Sequence, residues 1–144
     1  MAEAERRLGS YWSMTRSQVY RELPALADQG YVRLGKPGPR SSQPYAITPS
    51  GRRAFARWLA EEPAKEAVRN PVVLRAAFGK YQTSASLASA YAEATSYHTQ
   101  AIAEIKEAVK TMRRDGENFD AAAQEFAIGY HKAVLAWLKT APTK

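Results

Sequence analysis

The chain has no cysteine, so disulfide bridges, thiolate metal sites and thiol redox switches are all closed to it. It also lacks long apolar runs. None approaches the roughly 20 residues that span a bilayer, and the N-terminus Met-Ala-Glu-Ala-Glu-Arg-Arg carries no apolar signal core. A cytoplasmic protein with no membrane partner is therefore expected. The sequence shows no nucleophile elbow, no phosphate-cradling glycine loop and no paired carboxylates placed to share a cleft. Neither an enzyme nor a cofactor is expected. Acidic residues are scarce in the first third. Between Thr15 and Arg57 only Glu22 and Asp28 stand against Arg16, Arg21, Arg33, Lys36, Arg40, Arg52, Arg53 and Arg57.

The net charge of +7 is thus concentrated, not spread. Beyond Arg57 the two signs nearly balance, as on an ordinary solvated helical surface. A basic N-terminal field favours a polyanionic partner. With 144 residues and 45% hydrophobic content, the chain can bury a real core.

The stretch Met14–Leu34 organises that basic region. Thr15 can cap a helix by accepting from an otherwise unpaired first-turn N–H. Val19, Leu23 and Leu26 then recur at helical spacing on one side. Ser17, Arg21 and Asp28 fall on the far side, with Gln18 and Tyr20 flanking them. Pro24 stands inside this helix, where it removes one backbone hydrogen bond and should cost about 3 kcal/mol or bend the rod. Gly30 suits the left-handed position that ends a helix. Arg can pair bidentately with guanine and Gln with adenine, while Ser, Thr and Tyr can hold phosphates. The exposed end of this helix is therefore chemically suited to a DNA groove, although a plain solvated face has the same composition.

Upstream, Glu3–Trp12 predicts a short helix ending in the apolar triplet Leu8, Tyr11 and Trp12, close enough to the next for a helix-turn-helix. Downstream, Tyr31–Leu34 and Tyr45–Thr48 alternate as short strands around a Pro- and Gly-rich loop. That hairpin makes a wing, and its Lys36 and Arg40 can lie along a backbone or enter a minor groove. Thr48-Pro49-Ser50-Gly51 starts another helix, with Thr as cap and Pro at the first helical position. Phe55, Trp58 and Leu59 give it an inward face. A domain boundary is placed at Pro63, dividing residues 1–63 from 64–144.

The second part is helical by pattern. Asn70-Pro71 caps a short helix up to Gly79. From Thr83 to Gly116 there is neither Pro nor Gly, room for about eight turns. Leu87, Tyr91, Ala94, His98, Ile102, Ile105, Val109 and Met112 form a sustained seam. A last helix carries Phe119, Ala123, Phe126, Tyr130, Val134 and Trp137 on one stripe. Two antiparallel helices with such seams need more apolar cover, which a second copy supplies most economically. Leu87, Tyr91, Ile102, Ile105, Val109, Phe126, Tyr130, Val134 and Trp137 are the expected dimerisation residues. Trp12, Trp58, Trp137, Phe78, Tyr81 and Tyr130 are candidates for lining a small-molecule pocket. His98 and His131, with Glu93 or Glu125, have no ligand-motif spacing, and no metal is expected.

Several runs together carry a family resemblance: Tyr11–Leu23, Asp-Gln-Gly-Tyr-Val, Tyr-Ala-Ile-Thr-Pro-Ser-Gly-Arg, Trp58–Leu59, Asn70–Gly79 and the closing Ala-Trp-Leu. In order and spacing they resemble the PadR family of bacterial transcriptional regulators, in the branch with a virulence-activator-type helical tail. The resemblance implies a mainly α fold with a β-hairpin wing: a winged helix-turn-helix followed by an antiparallel helical dimerisation domain. It implies a homodimer that binds double-stranded DNA at a pseudo-palindromic operator, a repressor role and, in some members, a small aromatic effector. The recognition-helix start falls on Thr15, Arg16, Ser17, Gln18, Tyr20 and Arg21, and the wing on Lys36 to Gln43, with Arg40 foremost. Family members normally begin with a further apolar helix ahead of a Gly-Tyr pair; this chain opens at what resembles the second. Without that cover the inner face of the recognition helix is expected to stay partly wet. The alternative reading is an interaction or ligand-binding module that has lost specific DNA binding with that helix.

Overall fold

A computed structural model describes residues 6–12, 14–36, 38, 43–65 and 68–143. Its contacts divide into two compact units, Met14–Ala67 on the one hand and residues 1–13 with Val68–Lys144 on the other.

The unit of residues 14–67 holds helix α1 (Arg16–Asp28), strands β1 (Val32–Leu34) and β2 (Tyr45–Ile47), and helix α2 (Pro49–Leu59). The strands pair antiparallel in the register Val32 with Ile47, Arg33 with Ala46 and Leu34 with Tyr45. α1 runs unbroken through Pro24. Because Pro24 is exposed, its missing N–H is the main loss. Pro24→Ala is expected to raise the stability of this unit by about 1–2 kcal/mol, less than the full helical penalty because the unfolded chain also gains freedom. Urea unfolding monitored on this unit checks it.

α1 stops in a Schellman turn. Gly30 takes φ +72°, its N–H reaches Ala27 O at 2.9 Å, and the Tyr31 N–H reaches Leu26 O at 2.9 Å. The expected wetness of the inner face is observed: α1 buries none of its residues. Val19 and Leu23 are half-buried, and Leu26 is 36% exposed. Leu34, Ile47, Phe55, Trp58 and Leu59 are exposed too.

The other unit is built on α4 (Ser84–Arg114) and α5 (Asn118–Leu138), a long helical hairpin, with α3 (Pro71–Ala77) and a 3-10 turn (Gly79–Tyr81) ahead of it. Asn70 caps α3 by accepting from the Val72 and Val73 N–H groups at 3.1 and 3.3 Å. The Arg113–Gly116 turn forms as expected, with Gly116 at φ +81° and the Glu117 N–H on Met112 O at 2.8 Å. The core cluster joins Val72, Leu87, Tyr91, Val134 and Leu138. Nearer the turn Met112 and Ala121 are fully buried.

Two sequence expectations change here. The buried stripe of α5 is Ala121, Gln124, Ala127, His131, Val134 and Leu138, not the aromatic stripe through Phe119 and Phe126. Small residues at positions 121 and 127 let the helices approach, and the large rings are left outside, Phe119 94% and Phe126 65% exposed. Of the expected dimerisation residues, Leu87, Tyr91, Ile105 and Val134 are buried within the single chain. The α4–α5 pairing itself takes them up. Phe126 stays exposed, with Ile102, Val109, Tyr130 and Trp137 half-buried.

The segment 6–12, expected as the leading helix of the helix-turn-helix pair in domain 1–63, groups with this helical unit. The cause is polar. Arg6 pairs with Glu117 at 3.2 Å, and Arg7 donates Nε to Asp120 at 3.0 Å. The Gln124 amide donates to Arg6 O at 3.2 Å and Arg7 O at 2.9 Å, closing the C-terminal carbonyls of that helical turn. Arg7 holds the Asp120 carboxyl below its usual range, chiefly by this hydrogen bond.

Candidate nucleic-acid interface

The basic unit presents its polar groups from α1 and the hairpin, and one junction fixes that arrangement. The Thr48 side chain donates to Gly30 O at 2.7 Å, with Tyr31 O at 3.1 Å, while its backbone N–H reaches Tyr31 O at 2.9 Å. The same hydroxyl accepts the Gly51 N–H at 3.0 Å and so caps α2. Gly51 is the one buried residue among those described in this unit. A Cβ there would stand 2.0 Å from Tyr31 O. One threonine and one glycine thus tie the end of α1, the second strand and the start of α2 at a single point.

At the other end of α1, Thr15 and Gln18 form a reciprocal capping box. The Gln18 N–H donates to Thr15 Oγ1 at 3.2 Å, and the Thr15 N–H donates to Gln18 Oε1 at 2.8 Å. The cap engages the same side-chain carbonyl through which Gln18 would read adenine. Bidentate reading of adenine needs both its carbonyl and its amide, and the carbonyl is committed to the cap. Thr15 is likewise occupied by its own helix. Both residues set the helix entry, while Arg16, Ser17, Tyr20 and Arg21 form the outward set.

All four are exposed, Tyr20 at 73%. Arg21 donates Nε to Glu22 Oε1 at 2.9 Å. That pair is between exposed neighbours and contributes at most about 1 kcal/mol, so an incoming phosphate or guanine can replace the carboxylate. On the hairpin, Arg33 and Lys36 are exposed. Arg40 lies outside the described residues. Arg52, Arg53 and Arg57 are exposed on α2. The chemistry available is a cationic, hydroxyl-bearing surface suited to a polyanion, with no buried titratable side chain among the described residues of this unit.

Several of the aromatic candidates make local ring pairs within their own unit. Phe55 and Trp58 stack at 5.7 Å, Phe78 faces Tyr81 at 6.5 Å, and Trp137 packs edge-on against Tyr91 at 6.0 Å. Of the six candidates only Tyr130 lines a cleft of about 850 Å³ in the helical unit. His98 and His131 do meet, with Nδ1 atoms 2.6 Å apart. Glu125 is taken by Arg113 at 2.9 Å, and Glu93 accepts from Ser89 at 3.3 Å. No cluster of three or more metal-ligating residues forms among the described residues, and no described helix is long and apolar enough to cross a membrane.

No family model matches the chain. Among characterised proteins, the negative transcriptional regulator PadR of Bacillus subtilis is 35% identical over 75 residues, 49% of this chain and 41% of that protein. A probable transcriptional regulator of Mycobacterium tuberculosis is 36% identical over 63 residues, 40% of this chain and 32% of the relative. The matched stretches thus span less than half the length of either relative. The fold agreement reaches further. The PadR-like transcriptional regulator BC1756 of Bacillus cereus superposes with TM-score 0.80 at 16% identity, over 96% of this chain and 82% of that one. Bacillus subtilis PadR in complex with operator DNA gives 0.76 at 20%, over 96% and 83%. The same protein has been solved with p-coumaric acid, with TM-score 0.71 at 20% identity over the same shares of the two chains. The chain is thus similar to PadR-type regulators in sequence over part of its length, and it has their winged-helix fold, a hairpin wing followed by an antiparallel helical tail, over nearly all of it.

Proposed function

We propose that this chain is a PadR-type transcriptional regulator that binds DNA in a sequence-selective manner as a homodimer, acts as a repressor, and responds to a small aromatic effector. One observation carries the DNA reading: α1 is capped by its own Thr15 and Gln18, and this leaves Arg16, Ser17, Tyr20 and Arg21 outward beside an exposed basic hairpin. The operator complex of Bacillus subtilis PadR supports it, and that protein's p-coumaric acid complex supports the effector.

The first turns of α1 enter a major groove, and Lys36 and Arg40 of the wing steady the adjacent backbone. Arg21 exchanges Glu22 for a base edge. The second copy covers the outer aromatic stripe of α5, where Phe119 and Phe126 stand exposed. Two-fold symmetry then calls for a pseudo-palindromic operator, with half-sites about 10 bp apart centre to centre or a multiple of that.

Fluorescence-anisotropy titrations of the fragment upstream of the chain's own gene test this. Arg21→Ala is expected to cost about 1–3 kcal/mol on the operator and to relax base preference at one position in each half-site. Lys36→Ala is expected to weaken all sequences alike and to lower the salt slope by about two, roughly one for each subunit of the dimer. Two chains per operator are expected at saturation. If both variants bind like the parent across the salt series, the groove assignment is wrong.

A further inference from the structure

The cleft of the helical unit holds a device that DNA contact does not use. His98 on α4 and His131 on α5 are 6% and 5% exposed, and their Nδ1 atoms face each other at 2.6 Å. That distance requires a proton between the two nitrogens, so one ring donates and the other accepts. The ring centroids lie 4.8 Å apart, so the imidazoles meet head to head across the helix interface and not side by side.

Aromatic rings cover the pair. Tyr97 closes edge-on over His98 at 5.0 Å and over His131 at 6.0 Å. Tyr130 lies against both rings, at 6.2 and 5.5 Å, with its hydroxyl accepting from the Asn70 amide at 2.9 Å. The charged groups lining the cleft are Arg69 and Arg75 from the α3 side and Glu93 and Glu104 from α4. Glu93 accepts from Ser89, and Glu104 accepts from Gln100 at 2.8 Å. The N-terminal segment contributes Gly9 and Ser10, neither titratable. Neither imidazole is paired with a carboxylate among the described residues.

We infer that His98 and His131 form an acid-opened clasp: the neutral pair shares one proton and joins α4 to α5 at the cleft, and protonation of both rings breaks the bond and loosens the helices there. Two imidazolium rings cannot keep a shared proton, and at this separation their charges repel, with no carboxylate paired to either ring among the described residues. Burial lowers the affinity of both rings for a proton, and for His98 the neighbouring His131 adds to it. The sign follows. Both groups are depressed in the fold, so their contribution is complete above the unfolded value of about 6.5 and is lost as pH falls below it.

Acidification below pH 6.5 is therefore expected to lower the folding equilibrium constant of the helical unit, with at most about tenfold per pH unit for each proton taken up on unfolding. Urea unfolding of the full chain at a series of pH values reads this out. The double variant His98→Leu/His131→Leu, run beside the parent, supplies the carboxylate background and is expected to show a flatter profile. NMR of the parent tests the same clasp without any substitution. A proton on one Nδ1 should be visible at neutral pH, and both rings should titrate below about 6.5. On acidification the signal of the shared, hydrogen-bonded Nδ1 proton should disappear as both rings become protonated, together with shifts in the amides around residues 98 and 131. Independent titration of both rings at or above that value overturns the clasp, as does an equal acid slope in parent and double variant. Neither outcome depends on DNA binding.

Discussion

Gly51→Ala is expected to unfold the winged unit at room temperature. The new methyl would stand 2.0 Å from Tyr31 O and 3.0 Å from the Ile47 side chain. The first contact is with backbone, held in place by the Thr48 hydroxyl and N–H, so no rotamer change relieves it. Overpacking typically costs about 1–3 kcal/mol. A backbone clash inside a hydrogen-bonded knot belongs at or above the top of that range. The unit has little to lose, because among its described residues Gly51 alone is buried and the apolar side chains of α1 and α2 stay exposed or half-exposed. Hydrogen exchange should show lost protection across residues 16–59, while α4 and α5 keep theirs. DNA affinity should fall to the non-specific level with it. A Gly51→Ala chain that keeps both protection and selective binding would mean that this junction does not hold the reading helix.

The second large effect is expected at Met112. This side chain is completely buried close to the α4–α5 turn, as Ala121 is on the other helix. Its carbonyl accepts the Glu117 N–H at 2.8 Å, so the backbone around the site has little freedom to collapse into a void. Truncating a fully buried methionine costs about 2–5 kcal/mol, the upper part of the range applying where the surroundings cannot relax. Met112→Ala is therefore expected to cost about 3–5 kcal/mol on that ground. Met112→Leu keeps the volume and should cost less than about 1.5 kcal/mol. Denaturant unfolding of the two variants side by side checks the contrast. Equal losses would indicate that sulfur chemistry or helix propensity, and not volume, governs the position.

Much of this was legible in the residues. Caps are local chemistry, so Thr15, Thr48, Asn70, Gly30 and the turn at Gly116 could each be placed from sequence. The α4 seam is a strong periodic signal, and Leu87, Tyr91, His98, Ile105 and Met112 are buried along it, within the single chain. What failed was the choice between two overlapping stripes on α5. Hydrophobicity favours Phe119 and Phe126. Packing distance favours Ala121 and Ala127, and spacing alone does not reveal which consideration wins. The double duty of Gln18 was hidden for a related reason: an amide that can read adenine can equally close a capping box, and only coordinates show which it does. The salt-bridged placement of residues 6–12 rests on partners more than 100 positions away, beyond any local pattern. Tyr97, whose ring covers the histidine pair, went unmarked because it lies off the seam by one residue.

The most direct test sets the parent chain against two labelled duplexes of equal length, the fragment upstream of its own gene and a scrambled version, at several salt concentrations. Binding to the upstream fragment at least about a thousandfold tighter, with affinity for both duplexes falling as salt rises, is the predicted result. Equal affinity for the two duplexes, whatever the salt dependence, would contradict a sequence-reading role for α1.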